Sequence, residues 1–194
     1  MAINLTKGQR ISLQKNMRYA LVGLGWDVNQ YDGSEDFDLD ASVFLLGANG
    51  KLLHDEDFIF YNNLQSSNGA VKHTGDNRTG AGEGDDEVIL IDFDKLPQEI
   101  DRIAVCVTIH DAEARRQNFG QVRNAYIRLE KLENENDTSG EPVLRFDLEE
   151  DFSIETAIVV AEIYRRNGEW KFNAVAAGYQ GGLSAICRSF GANV

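Results

Sequence analysis

The chain has 194 residues, 42% of them hydrophobic, and a formal net charge of −13. That length suits one domain, residues 1–194, with enough apolar residues for a sizeable core. The charge argues against nucleic acid, whose phosphates it would repel, and against direct attraction to an anionic membrane. Two separated cysteines, Cys106 and Cys187, give neither a disulfide framework nor a zinc spacing. No stretch reads as a signal peptide or a membrane-spanning helix, so a soluble, cytoplasmic protein is the expectation.

Period-two alternation dominates the chain. "INLTKGQRISL" reads as two short strands around Lys7-Gly8. "YALVGLGWDV" puts Ala20, Val22, Leu24 and Trp26 on one face. In "FDLDASVFLL", Phe37, Leu39, Ala41 and Val43 face one way, and Asp38, Asp40 and Ser42 the other. "ANGK" follows as a hairpin turn, because Asn-Gly accepts positive φ at both centres. "DFIFYNNL" reads as a strand ending in two asparagines, and "EVILIDF" and "RIAVCVTIH" as central strands. "DAEARRQNFGQV" is a helical turn or a long loop; "NAYIRLEKL" and "VLRFDL" form another pair of strands.

The sharpest expectation lies near the C-terminus. "TAIVVAEIYRR" and "EWKFNAVAAGY" flank Asn167-Gly168. A two-residue turn there sets Arg166 against Glu169, Arg165 against Trp170, Ile163 against Phe172 and Ala161 against Ala174. Tyr164 meets Lys171 and Glu162 meets Asn173 on the other face, so the register sorts apolar from polar. "GGLSAICRSFG" closes the chain as a short helix ending near Gly191. About ten short strands and little helix point to an all-β sandwich.

Acidic residues collect at strand ends. Asp36, Asp38 and Asp40 come first, then the loop "HTGDNRTGAGEGDDE" with Asp76, Glu83, Asp85, Asp86 and Glu87 against a single arginine, Arg78. Asp111 and Asp27 follow other strands, and Asn62, Asn63 and Asn77 supply amide oxygens at similar positions. A hard divalent cation explains such a mixture. Calcium takes six to eight oxygens from carboxylates, amides and carbonyls, and glycines let carbonyls turn inward. Neither stretch is an EF-hand: Ala41 stands where "DFDLDA" needs glycine, and Arg78 and Gly80 break the pattern from Asp76. Ala81 replaces the lysine of a phosphate-binding loop. The plain alternatives are a wet strand face for "DFDLD" and a solvated turn for the glycine loop. His110 beside Asp111 reads as a strand-end histidine, Cys106 as core, and Trp26 and Trp170 as core or strand-pair anchors.

"LVGLGWD", "FDLDASVFLL", "DFIFYNNL", "HTGDNRTGAGEGDDE", "VTIHDAEARRQNFGQV" and "GEWKFNAVAAGYQGGL" together resemble the TerD family of bacterial tellurite-resistance and stress-response proteins. The resemblance runs from Leu5 to about Gly191 and implies an all-β sandwich with acidic loops that bind two calcium ions. Its motifs map onto Asp36, Asp38 and Asp40, onto Asn62 and Asn63, and onto Asp76, Asn77, Gly80, Gly84, Asp85, Asp86 and Glu87. Asp38, Asp76 and Glu87 lead this set; the carbonyls of Arg78 and Gly80 are further candidates, and Asp111 and Asp27 weaker ones. Adjacent Asp85, Asp86 and Glu87 cannot all point one way on a strand.

The resemblance also implies a cytoplasmic protein working with other tellurite-resistance proteins. TerC-type integral membrane proteins are among them, which leaves recruitment to the inner face of the membrane open. It attaches no enzymatic reaction, and no catalytic constellation stands out. A metal-dependent phosphohydrolase and a calcium-dependent membrane-associating module are the alternatives.

Overall fold

Alternating side chains leave each strand with one apolar face, and two sheets bury those faces against each other. The computed structural model describes residues 2–28, 35–81, 84–148 and 152–192; Glu83 lies outside them. The first sheet contains β1 (Ile3–Leu5), β3 (Tyr19–Gly25), β6 (Val71–His73), β7 (Glu87–Asp92), β9 (Tyr126–Leu132) and β10 (Glu141–Asp147). Its order is β1-β10-β9-β3-β7-β6. The second contains β2 (Arg10–Ser12), β4 (Leu39–Leu46), β5 (Phe58–Ile59), β8 (Arg102–Ile109), β11 (Ala157–Arg166) and β12 (Glu169–Tyr179). Its order is β2-β12-β11-β8-β4-β5. Among the described residues every pairing of these strands is antiparallel except β1 with β10.

The main core lies between the sheets. Ala20, Val22 and Leu24 of β3 and Ile89 and Ile91 of β7 meet Leu39, Ala41 and Val43 of β4 there. A second, smaller core covers the outer face of the second sheet. Phe44 and Leu46 of β4 and Cys106 of β8 pack there under Ile186 and Cys187 of the C-terminal helix α2 (Gly182–Phe190). β4 is therefore buried on both faces.

The C-terminal hairpin keeps the register expected from Arg166–Glu169 through Ala161–Ala174. Beyond it a bulge shifts the pairing between Val159 and Ala161, with Ala176 at φ +51°. Helix α2 stops at Gly191, whose left-handed φ of +83° suits a helix C-terminus. The strands either side of Lys7-Gly8 form as expected but join different sheets, so this turn crosses one edge of the sandwich. β6, only three residues long, carries too little alternation to be seen in sequence. "DFIFYNNL" yields just the two-residue β5, because Phe60 and Asn63 close a tight turn after it. "DAEARRQNFGQV" forms the short helix α1 (Ala112–Arg115) and a 3₁₀ turn, Phe119–Gln121. Among the described residues no helix is long and apolar enough to cross a membrane.

Phe172 is fully buried and pairs with Ile163 on one side and Ile11 on the other. Replacing Phe172 with alanine is expected to cost about 3–5 kcal/mol through lost burial and a cavity. Urea unfolding would show this as a lower midpoint at unchanged slope.

Candidate metal centre

The centre lies at the edge of the sandwich opposite the Lys7-Gly8 crossing, where β4 approaches the loop between β6 and β7. Inward anchoring of Phe37, Leu39 and Ala41 in the core forces Asp38 and Asp40 outward on the other face. They are not a wet strand face: Asp38 is 3% exposed and Asp40 5%. The His110 N–H donates to the Asp38 carbonyl at 2.8 Å, which extends the β4–β8 ladder and fixes Asp38. Asp76 arrives from the β6–β7 loop. Asp38, Asp40 and Asp76 each bring an oxygen within 4.8 Å of the other two.

The loop is shaped by local bonds that its sequence dictates. Asn77 Oδ1 accepts from the Thr79 and Gly80 N–H groups, each at 3.2 Å, and so caps a turn. Gly80 has φ +68°, and a Cβ there would stand 2.5 Å from Trp26 Nε1; only glycine fits. Trp26 Nε1 donates to the Phe37 carbonyl at 3.0 Å, so the same indole touches both walls of the centre.

The three acids that end the loop point in three directions. Asp85 leaves the centre: its carboxylate lies over Gly23 on the outer face of the first sheet, with Arg128 Nε at 2.7 Å. Asp86 accepts from the Trp26 N–H at 2.9 Å and from Asn77 Nδ2 at 3.0 Å, latching the loop. Glu87 turns into the seam between the sheets. It accepts the Ala41 N–H at 2.6 Å and the Asn77 N–H at 3.4 Å, joining β4 to the loop. His73 Nδ1 accepts the Gly75 N–H, and its Nε2 lies 3.4 Å from Glu87 Oε2.

The other candidates are placed as follows. Asp36 is exposed, and its carbonyl accepts from Gln117 Nε2 at 3.2 Å. Asn63 Nδ2 donates to the Phe58 carbonyl at 2.6 Å, bracing the turn at whose tip Asn62 is exposed. The Gly84 carbonyl accepts from the Tyr126 hydroxyl at 3.0 Å. Asp111, at φ +49°, has Oδ2 3.5 Å from His110 Nε2 on the rim of an open cleft that also reaches Asp40. Asp27 accepts a hydrogen bond from Asn124.

Two guanidinium groups and one imidazole face the cluster, a placement that the linear sequence does not show. Arg78 Nε lies 3.6 Å and Arg115 Nη2 3.5 Å from Asp38 Oδ2; His110 Nδ1 lies 3.6 Å from Asp40 Oδ2. The sequence offers Arg78 for its carbonyl; in the fold its guanidinium faces Asp38. Burial raises the Asp38 carboxyl above the usual range, opposed by His110 and Arg115. Asp40 is pushed up to about 8, chiefly by burial and then by the charges of Glu87, Asp38 and Asp76. Burial also raises Glu87, against the bonds from His73 and Ala41. Calcium sits roughly 2.3–2.6 Å from its oxygens, so oxygens on opposite sides of one ion stand about 5 Å apart. The spacing of the three aspartates fits that limit, and the cluster could hold a metal ion.

A match to the TerD domain spans residues 1–190. The chain belongs to the TerD family. It is 56% identical to the tellurium resistance protein TerD of Serratia marcescens, across all of this chain and 99% of that one. It is 55% identical to general stress protein 16U of Bacillus subtilis (strain 168), across all of both chains. A crystal structure of a telluride resistance protein (TerD) homologue from Streptomyces coelicolor A3(2) superposes with a TM-score of 0.66. It is 21% identical, covering 88% of this chain and 95% of that one, and so shares the fold. In this TerD-family chain the glycine-rich acidic loop therefore does two jobs. Asp76 faces the cluster, while Asn77, Gly80 and Asp86 hold the loop in shape.

Asp40 gives a pH signature for the metal-free protein. Between the ordinary value of 3.8 and about 8, the folded chain keeps a proton that the unfolded chain has lost. Its contribution to stability therefore falls as pH rises through that window. With a chelator present, Asp40→Asn is expected to melt above wild type near pH 8, the gap closing toward the ordinary carboxylate range. Thermal melts across this range check it; parallel curves would rule out Asp40 as the cause.

Proposed function

We propose that this chain is a calcium-binding protein of a bacterial tellurite-resistance and chemical-stress system. In this reading the ion orders the seam between the sheets and the β6–β7 loop into a surface for partner proteins. The convergence of Asp38, Asp40 and Asp76 within 4.8 Å carries the reading. Two of these carboxylates are buried, and like charges so placed favour a bound cation. A cluster of carboxylates beside a glycine-rich loop suits the flexible, oxygen-rich shell of calcium better than the strict octahedron of magnesium. High identity to a tellurium resistance protein and to a general stress protein supports the biological setting.

The proposal places one ion at the three aspartates. The resemblance implies a second ion, for which the described residues hold no equally close set of three acidic, histidine or cysteine ligands. It takes the protein to be cytoplasmic and non-enzymatic. Its partners would be other tellurite-resistance proteins, including a TerC-type membrane protein that would bring it to the inner face of the membrane.

Linkage supplies the test. A ligand that binds only the folded state stabilises it by about 2.7 kcal/mol at a hundred times its dissociation constant. Calcium is expected to raise the melting temperature over the chelated protein, and magnesium to do so less. Asp76 is exposed, so Asp76→Ala should leave the fold intact and remove most of the calcium effect. A melting temperature indifferent to calcium, with no heat of binding up to millimolar calcium, would sink the proposal.

A further inference from the structure

Asp38 is the most crowded carboxylate of the cluster. Its side chain is 4% exposed, and its Oδ2 faces two guanidinium groups that come from different parts of the chain. Arg78 belongs to the β6–β7 loop and is itself 68% exposed. Arg115 sits at the end of α1 and is 17% exposed. Arg115 is also held by Glu35, at 3.2 Å from Nε, and donates to the Asp36 carbonyl at 3.4 Å. At 3.5–3.6 Å the two contacts with Asp38 are charge pairings rather than directional hydrogen bonds. Such pairs yield to a stronger cation more readily than a bidentate fork would.

From this geometry we infer that Arg78 and Arg115 are built-in counter-ions that set the divalent-cation affinity of the site by competing for Asp38. Three carboxylates converge and two fixed positive charges face one of them. Arginine keeps its charge at every accessible pH, so the opposition is permanent. The affinity of an oxygen-lined calcium site is tuned by its charge count, and each guanidinium lowers the effective count by one. Competition also gives the arginines a second role. They limit the repulsion between Asp38, Asp40 and Asp76 in the metal-free protein, and an arriving ion takes over that neutralisation from them. The two should differ in kind: Arg78 is an exposed surface charge, whereas Arg115 also tethers the segment that leads into Asp38.

This inference rests on the calcium reading, and one set of titrations separates the two. Calcium binding would be measured by calorimetry on the full chain as wild type, Arg78→Gln, Arg78→Lys and Arg115→Gln. Thermal melts with chelator and with calcium would accompany it. Arg78→Gln is expected to tighten binding about tenfold at low salt, as loss of a positive charge close to the ion requires. The gain should shrink as salt screens that exposed position. Arg78→Lys should stay near wild type. Arg78→Gln should also melt lower than wild type in chelator and gain more from calcium, whereas a purely structural arginine would lower both melts alike. Arg115→Gln should tighten binding too, with a larger loss in chelator; if it fails to fold, Arg78→Gln decides alone. Wild-type binding with unchanged or weaker binding in Arg78→Gln overturns the counter-ion role only. No binding in any of the four proteins overturns that role and the calcium reading together.

Discussion

Everything at the centre follows from carboxylates brought close together in a place that water barely reaches. Asp38, Asp40 and Glu87 are all nearly buried, and Asp76 leans over them from outside. Burial disfavours each charge, and proximity disfavours it again. A folded chain has three ways out of that conflict, and this one shows two of them. Asp40 is raised far enough to hold a proton near neutrality, and the Arg78 and Arg115 guanidinium groups gather against the cluster. A bound cation is the third, and it would relieve all the carboxylates at once.

The sandwich makes this arrangement affordable by confining it to one seam. Both sheets are closed over a continuous apolar core, and the carboxylates gather at its edge. At the seam, the N–H of Ala41 is left without a strand partner, because β5 pairs β4 at Val43 and Phe44. Glu87 satisfies that donor with a side chain. A buried N–H without a partner would cost about as much as a lost hydrogen bond, so this bond is part of how the edge of β4 is closed. Glu87 thus earns its place structurally, whatever else its charge does.

What the sequence made legible was mostly what periodicity controls. Alternation placed Asp38 and Asp40 on one face of β4, and the Asn167-Gly168 turn fixed the facing pairs of β11 and β12. Both follow from a strand's period of two. Direction within loops was not legible. Asp85, Asp86 and Glu87 are consecutive acids, yet one pairs with Arg128, one latches Trp26 and one enters the seam. The choice depends on Gly23 leaving room on the neighbouring strand and on the Trp26 backbone lying within reach, and neither shows in a linear pattern. Arg115 was hidden for a similar reason: it sits in an aperiodic stretch, and only the folded chain carries α1 back to Asp38.

The geometry of β4 also explains why two parts of the chain must cooperate. Residues two apart on a strand share a face but stand about 6.6 Å apart along the backbone, so one strand offers two converging carboxylates and little more. A third has to come from elsewhere, and here it comes from a loop between two strands of the other sheet. The cluster exists only when the sheets are correctly closed. That closure is fastened by the Glu87 bonds to Ala41 and Asn77 and by the Trp26 indole between Gly80 and Phe37. On the calcium reading, sheet closure preorganises the three aspartates for an ion, and binding by the folded state alone stabilises that closure. The ion would then act as a clasp between two sheets, and the loop it orders would report, at the protein surface, whether that clasp is shut.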